Sequence, residues 1–241
     1  RISGAAAVAA RHRKAEQARV KAAAPHQVDY FHQVDEGYSC LAAQTLERFA
    51  ARFDIELHCH LVRGQEGKNA PEPELLAQLA RADSHEIAAG YGLSFPNHPE
   101  APAAGLVETA SQVLAAQSHS DFPKAAVSVS DALWRDDADR LAQLAAELGT
   151  ASREATTAAI EAGTAKRCEL KHYSGAMFYY GGEWYWGVDR LYHLEARLAA
   201  LGADTQPGTP LIAPRPSEDL AGQRDTCLLY TSDAADEMDG V

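Results

Sequence analysis

The pattern of apolar and polar positions predicts a strand, a helix and a second strand at the start of the chain. Residues 28–33 and 55–62 are rich in β-branched and aromatic side chains, which is typical of buried strands. Between them, apolar residues recur at helical spacing at Ala42, Leu46, Phe49, Ala50 and Phe53. Ser39 is a good N-cap for this helix. Two strands joined in this way predict a right-handed βαβ unit with parallel strands.

The middle of the chain, from Glu74 to about Glu169, has a helical pattern throughout. The apolar positions predict three helices, at Leu75, Leu76, Leu79 and Ile87, at Leu106, Val107, Ala110, Val113 and Leu114, and at Leu133, Trp134, Leu141, Ala145 and Leu148. A fourth, short helix is expected at 152–162. Breaks are expected near Pro96, Pro123 and Gly149.

The pattern then returns to strands. Two aromatic runs flank Gly181 and Gly182, and a Gly-Gly pair suits the two-residue turn of a β-hairpin. A last helix is expected from Leu191 to Leu201, with Gly202 at the C′ position where glycine is favoured.

The order βαβ, helices, ββα predicts an α/β protein with a thioredoxin fold, whose two halves are separated by an inserted all-helical domain. The expected boundaries are a basic Ala-rich segment at 1–25, a thioredoxin-like domain at 26–70 and 168–203, a helical insert at 71–167 and a Pro-rich linker at 204–226.

The charge and the apolar content of the chain argue against some classes of binding partner. The formal net charge is -12, which argues against a nucleic-acid partner, because phosphate binding needs a basic surface. No apolar run is long enough to span a membrane. Residues 1–25 carry six basic side chains against one acidic side chain, and three readings stay open: a helix docked on the acidic body, a membrane-surface helix or a frayed lead-in.

The last residues, 227–241, read like the translation of a transposase-end sequencing adapter. We therefore expect them to be an artefact and the chain to be a metagenomic fragment. Cys40, Cys59 and Cys168 then remain, an odd number without paired spacing, which predicts a reducing, cytoplasmic location.

The candidate site is the turn at Glu36-Gly37-Tyr38-Ser39, between the first strand and its helix. The free N–H groups of a helix N-terminus favour an anion or a thiolate there. Redox proteins place Cys-x-x-Cys at this turn, and this chain has no such pair. Glu36 is a candidate general base, and the alternative is an acid that only complements the helix dipole. Cys40 is expected to be a small buried residue.

With these motifs, the chain resembles the DsbA-like branch of the thioredoxin superfamily, in the style of 2-hydroxychromene-2-carboxylate isomerase and the kappa-class glutathione transferases. The resemblance rests on Tyr38-Ser39, similar to the end of Ser-Pro-Tyr-Ser, on the run from Trp186 to Leu191, similar to Phe/Trp-Gly-x-Asp-Arg-Leu, and on the helical insert.

The resemblance implies a glutathione site. Asp189 matches the acid that holds the γ-glutamyl amine, and Tyr38 would help to bind glutathione. Glu36 stands where the serine that meets the glutathione sulfur would be, with Ser39 as its catalytic neighbour. The loop Gly175-Ala176-Met177 is a further candidate for glutathione binding. Ala176 stands where a cis-proline is usual, so we expect a trans bond and a reshaped loop.

Three functions stay open. The first is a glutathione-dependent isomerase or transferase acting on a small aromatic or electrophilic molecule. The second is a thiol–disulfide oxidoreductase relying on Cys40. The third is a non-catalytic binding module, with a possible second domain downstream of the linker. A homodimer is also open. We expect no metal, although His32, His58 and His60 are candidate ligands on two strands.

Overall fold

Four short strands form one mixed sheet, as the apolar pattern predicts. In the computed structural model, which describes residues 4–65, 72–97 and 100–214, they are β1 (Gln27–His32), β2 (Glu56–Leu61), β3 (Met177–Tyr180) and β4 (Glu183–Trp186). Their order is β2-β1-β3-β4. β1 and β2 are parallel, and β3 is antiparallel to both β1 and β4. This arrangement confirms the α/β fold with two halves in one sheet.

Eight helices surround this sheet in the described part of the chain. They are α1 (Ala5–Lys21), α2 (Gly37–Arg52), α3 (Pro73–Ala88), α4 (Ala104–Ala115), α5 (Phe122–Trp134), α6 (Ala138–Leu148), α7 (Arg153–Glu169) and α8 (Gly187–Ala200). A short 3-10 helix, Ala89–Tyr91, follows α3. None of the described helices is long and apolar enough to cross a membrane.

The prediction of one helix running from Leu133 to Leu148 is wrong. Asp136 adopts a left-handed conformation, with φ +55°, and ends α5. The Asp137 carboxylate then accepts the backbone N–H of Arg140 at 2.9 Å and caps a separate helix, α6. The chain therefore has two helices where the apolar spacing predicted one.

The expected short helix at 152–162 is longer than the pattern indicated. Ser152 caps α7, which runs on to Glu169. Gly163 lies so close to β2 that a Cβ there would be 2.1 Å from the carbonyl oxygen of Leu61. α7 thus packs directly on the sheet, and only this glycine permits the contact.

The two sheet faces bury different side chains. On one face, Phe178 packs against Tyr30 and against Phe49 of α2, and all three are fully buried. On the other face, Phe31 and Met177 pack with Trp184 beneath the end of α7. Because both faces are covered, β1 is buried along nearly its whole length.

The hairpin and the last helix form as predicted. Gly181 and Gly182 have φ values of +53° and +84°, as a primed two-residue turn requires, and Tyr180 pairs with Glu183 across it. α8 ends beside Gly202, whose φ is +80°.

Both flanking segments contact the body of the protein. The basic N-terminal segment forms α1, and His12 of α1 contacts the Glu183 carboxylate on β4. Residues 204–214, the first half of the expected linker, pack beside α2 and α8. Arg52 binds the Asp204 carboxylate at 2.8 Å, and Glu195 accepts the N–H of Ile212 at 2.9 Å. The remainder of that stretch and the adapter-like tail lie outside the described residues.

Candidate functional site

The candidate site lies where β1 turns into α2. Glu36 is the N-cap residue of α2, and its carbonyl accepts the N–H of Cys40. The expectation that Ser39 caps the helix is wrong, because α2 already begins at Gly37. Ser39 instead lies in the first helical turn, fully buried, with its side chain directed at the neighbouring loop.

The Ser39 hydroxyl makes three hydrogen bonds. It accepts the backbone N–H of Gln33 at 3.1 Å and that of Ala176 at 3.0 Å. It donates to the Glu36 carboxylate at 2.7 Å. A serine hydroxyl offers one donor and two acceptor lone pairs, so this one is fully occupied. Ser39 therefore positions Glu36, and its own oxygen is not free to attack a substrate.

The Glu36 carboxyl group has a pKa well above the usual value for glutamate. Burial disfavours its charged form and raises its pKa to about 7, against the lowering effect of the Ser39 hydrogen bond. The neighbouring Asp35 carboxylate raises the pKa further. A carboxyl group with this pKa exchanges its proton near neutral pH, which is the property of a general acid–base catalyst.

The loop before β3 is built around Glu36. A Cβ on Gly175 would lie 2.4 Å from the Glu36 carboxylate, so only glycine allows this approach. Ala176 has a trans peptide bond and a φ of +51°. Its N–H donates to Ser39 and its carbonyl accepts the N–H of Gly187 at 2.7 Å. Both backbone groups of Ala176 are thus used within the protein.

Tyr38 and Asp189 lie at a small neighbouring cavity of about 180 Å³. The Tyr38 hydroxyl donates to Asp83 at 2.7 Å, and Asp189 accepts the hydroxyl of Tyr91 at 2.9 Å. Asp189 is exposed. Met177 is directed elsewhere, into the packing beside Phe31, so the structure does not bring it to Glu36.

A cleft of about 340 Å³ opens beside Glu36. One wall is the exposed apolar side of α3, where Leu76 and Leu79 are 42% and 60% exposed. The opposite wall includes Trp186, which is half exposed and meets the Tyr38 ring edge-on at 5.9 Å. From the sequence, the aromatic residues of the hairpin are expected mainly to pack, with one or two of them open as the lining of a pocket for an aromatic substrate, and α3 is predicted only as a helix. Only the leucine run of α3 hinted at this wall.

The cysteines are poorly suited to thiol chemistry at this turn. Cys40 is buried, and burial raises the pKa of its thiol to about 12. Burial also raises the pKa of Cys59. Cys168 is exposed near the C-terminal end of α7.

The sheet separates His32 from His58 and His60. His32 is fully buried, and burial lowers its pKa to about 3. His58 and His60 share the opposite face, where their rings contact His119 at centroid distances of 4.8 Å and 5.9 Å, and His60 also contacts Asp29 at 2.8 Å. Within the described ranges, no three His, Cys, Asp or Glu residues are placed to hold a metal ion.

The comparisons with known proteins agree with this architecture. No family model matches the chain, and no curated protein sequence matches it. Among solved structures, a 2-hydroxychromene-2-carboxylate isomerase is similar, with a TM-score of 0.55 and 20% identity over 73% of this chain and 96% of the other.

A second similar structure is described as a "probable DsbA oxidoreductase" from Streptomyces coelicolor. Its TM-score is 0.52 and its identity is 14%, over 77% of this chain and 92% of the other. Identities this low establish the fold and leave the chemistry to be argued from the site. The chain therefore has the α/β thioredoxin fold of these similar structures.

Proposed function

We propose that this chain is an isomerase-type enzyme that moves a proton on a small molecule bound in the cleft, with Glu36 as its general acid–base group. The observation that carries the proposal is the Glu36 carboxyl group, which lines the cleft with a pKa raised to about 7 by burial. Ser39 holds its orientation.

The chemistry needs only one group that takes and returns a proton. Ionised Glu36 removes a proton from one substrate atom. The electrons of that bond form a new double bond, while the existing double bond breaks and its electrons move to the atom at its far end. The protonated carboxyl then returns the proton to another atom of the same molecule. Such an isomerisation consumes no oxidant and no co-reactant, and a pKa near neutrality suits both halves of it.

The neighbouring isomerase supports this reaction class, because its name gives an isomerisation carried by the same fold. A disulfide exchange role is less well supported. It requires an attacking thiolate, and burial raises the pKa of the Cys40 thiol to about 12. The cytoplasmic location, the homodimer and the downstream domain stay predictions from the sequence.

Glutathione is a candidate cofactor of the reaction. The exposed Asp189 carboxylate borders the small cavity beside Tyr38 and is free of any ion pair with a described residue, so it suits an ammonium group. One observation argues against glutathione. The N–H and the carbonyl of Ala176 are already hydrogen-bonded within the protein, so they are not available to bind the peptide backbone of glutathione. Calorimetry decides the point. Glutathione binding that is lost in Asp189→Ala would support glutathione as a ligand. The absence of any heat of glutathione binding would exclude it.

Proton exchange tests the proposal without knowledge of the product. Candidate substrates are incubated with the chain in D2O, and deuterium incorporation is followed by NMR. The panel contains small aromatic ketones with neutral, cationic and carboxylate substituents, together with 2-hydroxychromene-2-carboxylate, so that proton transfer is tested separately from the preference for charge. We expect exchange with at least one compound, reduced at least about a hundredfold in Glu36→Gln, within the usual contribution of a general base.

The matched control is Glu147→Gln, which removes an exposed carboxylate on α6. Exchange that survives Glu36→Gln unchanged would contradict the proposal. The absence of exchange with every compound, together with retained ligand binding, would favour the binding-module alternative.

A further inference from the structure

The charges around the cleft bear on the class of molecule that it accepts. Two carboxylates, Asp35 and Glu36, line the cleft itself. Two more, Asp83 and Asp189, line the small cavity on the other side of Trp186. Among the described residues, no lysine, arginine or histidine lines either cavity.

These carboxylates are hydrogen-bonded by neutral groups. Asp35 accepts the side-chain amide of Gln33 at 3.0 Å, and Glu36 accepts the Ser39 hydroxyl. The Tyr38 hydroxyl donates to Asp83, and the Tyr91 hydroxyl donates to Asp189. None of the four forms a salt bridge within the described ranges. Arg167 acts on Glu36 only through its charge, which lowers the pKa of Glu36. The negative charge of the four carboxylates is therefore oriented by neutral donors and not paired directly.

The apolar surface of the cleft offers a matching contact. The half-exposed ring of Trp186 stands between the two cavities and lines both. An indole face attracts cations more strongly than any other side-chain ring. Leu76 and Leu79 supply the apolar surface across the cleft. A volume of about 340 Å³ suits a small ring system.

We propose that the cleft selects a small aromatic or apolar molecule carrying a positive charge, and that it discriminates against carboxylates. The cationic group would lie against Trp186, within the field of the four carboxylates, and the ring would lie on α3. This inference rests on the proposed function for its site, but it concerns binding and not proton transfer.

A matched series of three probes tests it: benzyltrimethylammonium, benzyl alcohol and benzoate. They share a ring and differ in charge, and calorimetry at pH 8 and low salt measures their affinity. We expect the cation to bind at least about tenfold more tightly than benzoate, with the alcohol between them. We also expect added NaCl to reduce this preference, because salt screens partly exposed charges.

Variants separate the contributions. The double change Asp35→Asn with Asp189→Asn should reduce the preference for the cation several-fold. Trp186→Leu should weaken the binding of the cation more than the binding of the alcohol. Asp139→Asn on α6, which removes an exposed carboxylate outside both cavities, is the control and should change neither. Equal or tighter binding of benzoate, no binding of any probe, or a preference that the double variant keeps in full would each overturn the inference.

Glu36→Gln distinguishes this inference from the proposed function. If the variant loses proton exchange and keeps a preference for the cation, both stand. If exchange is unaffected while the preference persists, the proposed function fails alone. If exchange depends on Glu36 but benzoate binds best, the charge inference fails alone.

Discussion

The backbone N–H of Ala176 donates a hydrogen bond to the hydroxyl of Ser39 at 3.0 Å. This contact joins the first turn of α2 to the loop before β3, across 137 positions of the chain. Because the same hydroxyl donates to Glu36, the group that we propose to carry the chemistry is oriented by both halves of the fold.

Replacement of Ser39 by alanine should destabilise the protein. It leaves the N–H groups of Gln33 and Ala176 without their acceptor, and one unsatisfied buried donor costs about 1–3 kcal/mol. Urea unfolding measures the loss. The exposed Ser94, changed to alanine, is the control and should stay within about 0.5 kcal/mol of the parent. An unchanged midpoint in Ser39→Ala would contradict the three-bond geometry.

The pKa of Glu36 should also respond to Ser39→Ala. The Ser39 hydrogen bond favours the charged carboxylate and lowers the pKa, so its removal should raise the pKa above its value of about 7. Carbon-13 NMR of labelled glutamate side chains follows this titration directly. A fall in the pKa would mean that the hydroxyl does not favour the charged form.

Glu36 should make stability fall as pH rises from about 4.5 to about 7. Its pKa is about 7 in the folded protein and near its usual 4.5 in the unfolded chain, so the folded state holds the extra proton in this window. The full effect is on the order of 3 kcal/mol. Denaturant midpoints at several pH values measure it, and Glu36→Gln should flatten the profile there. A profile that Glu36→Gln leaves unaltered would assign the dependence to other groups.

Asp29 should produce the opposite slope at lower pH. Burial opposes its ionisation, but hydrogen bonds from His60 and Lys166 outweigh this and lower its pKa to about 2. The resulting stability is present above about pH 4 and is lost as pH falls toward 2. In Asp29→Asn the acid limb of the midpoint profile should be shallower, while the limb between pH 4.5 and 7 should be retained.

Two helical glycines should respond oppositely to alanine. A Cβ at Gly163 would meet the Leu61 carbonyl oxygen at 2.1 Å, so Gly163→Ala should push α7 from β2 and cost about 1–3 kcal/mol. Gly105 in α4 has open space around it, so Gly105→Ala should stabilise by about 0.5–1 kcal/mol. Thermal unfolding compares the two, and the same sign for both would show that α7 and β2 are farther apart.

The thiols should differ in reactivity. Cys168 is exposed and should react with a thiol reagent in the native protein, whereas Cys40 and Cys59 are buried and should react only after unfolding. Cys227, which lies outside the described residues, is changed to serine for this measurement. Rapid native reaction of Cys40, identified by mass spectrometry, would reopen the oxidoreductase alternative.

Local patterns were sufficient for the order of the elements. The β-branched and aromatic residues of β1 and β2, the leucines of α8 and the glycines of the hairpin turn act over a few neighbouring residues. Periodicity reports such short-range preferences well. It failed at Asp136, where a left-handed residue divides an apolar pattern that continues across α5 and α6.

The sequence alone determined that the turn carries Glu36 and has no Cys-x-x-Cys pair, and that proline is missing at Ala176. Only the tertiary structure decided that Ser39 is fully hydrogen-bonded, that Glu36 lies against Gly175, and that Trp186 and α3 wall a cleft with unpaired carboxylates. The physical reason is that a side chain's acidity and accessibility depend on burial and on partners brought together by folding. Residues such as Ser39 and Ala176 are far apart in the chain, and no local pattern records their contact.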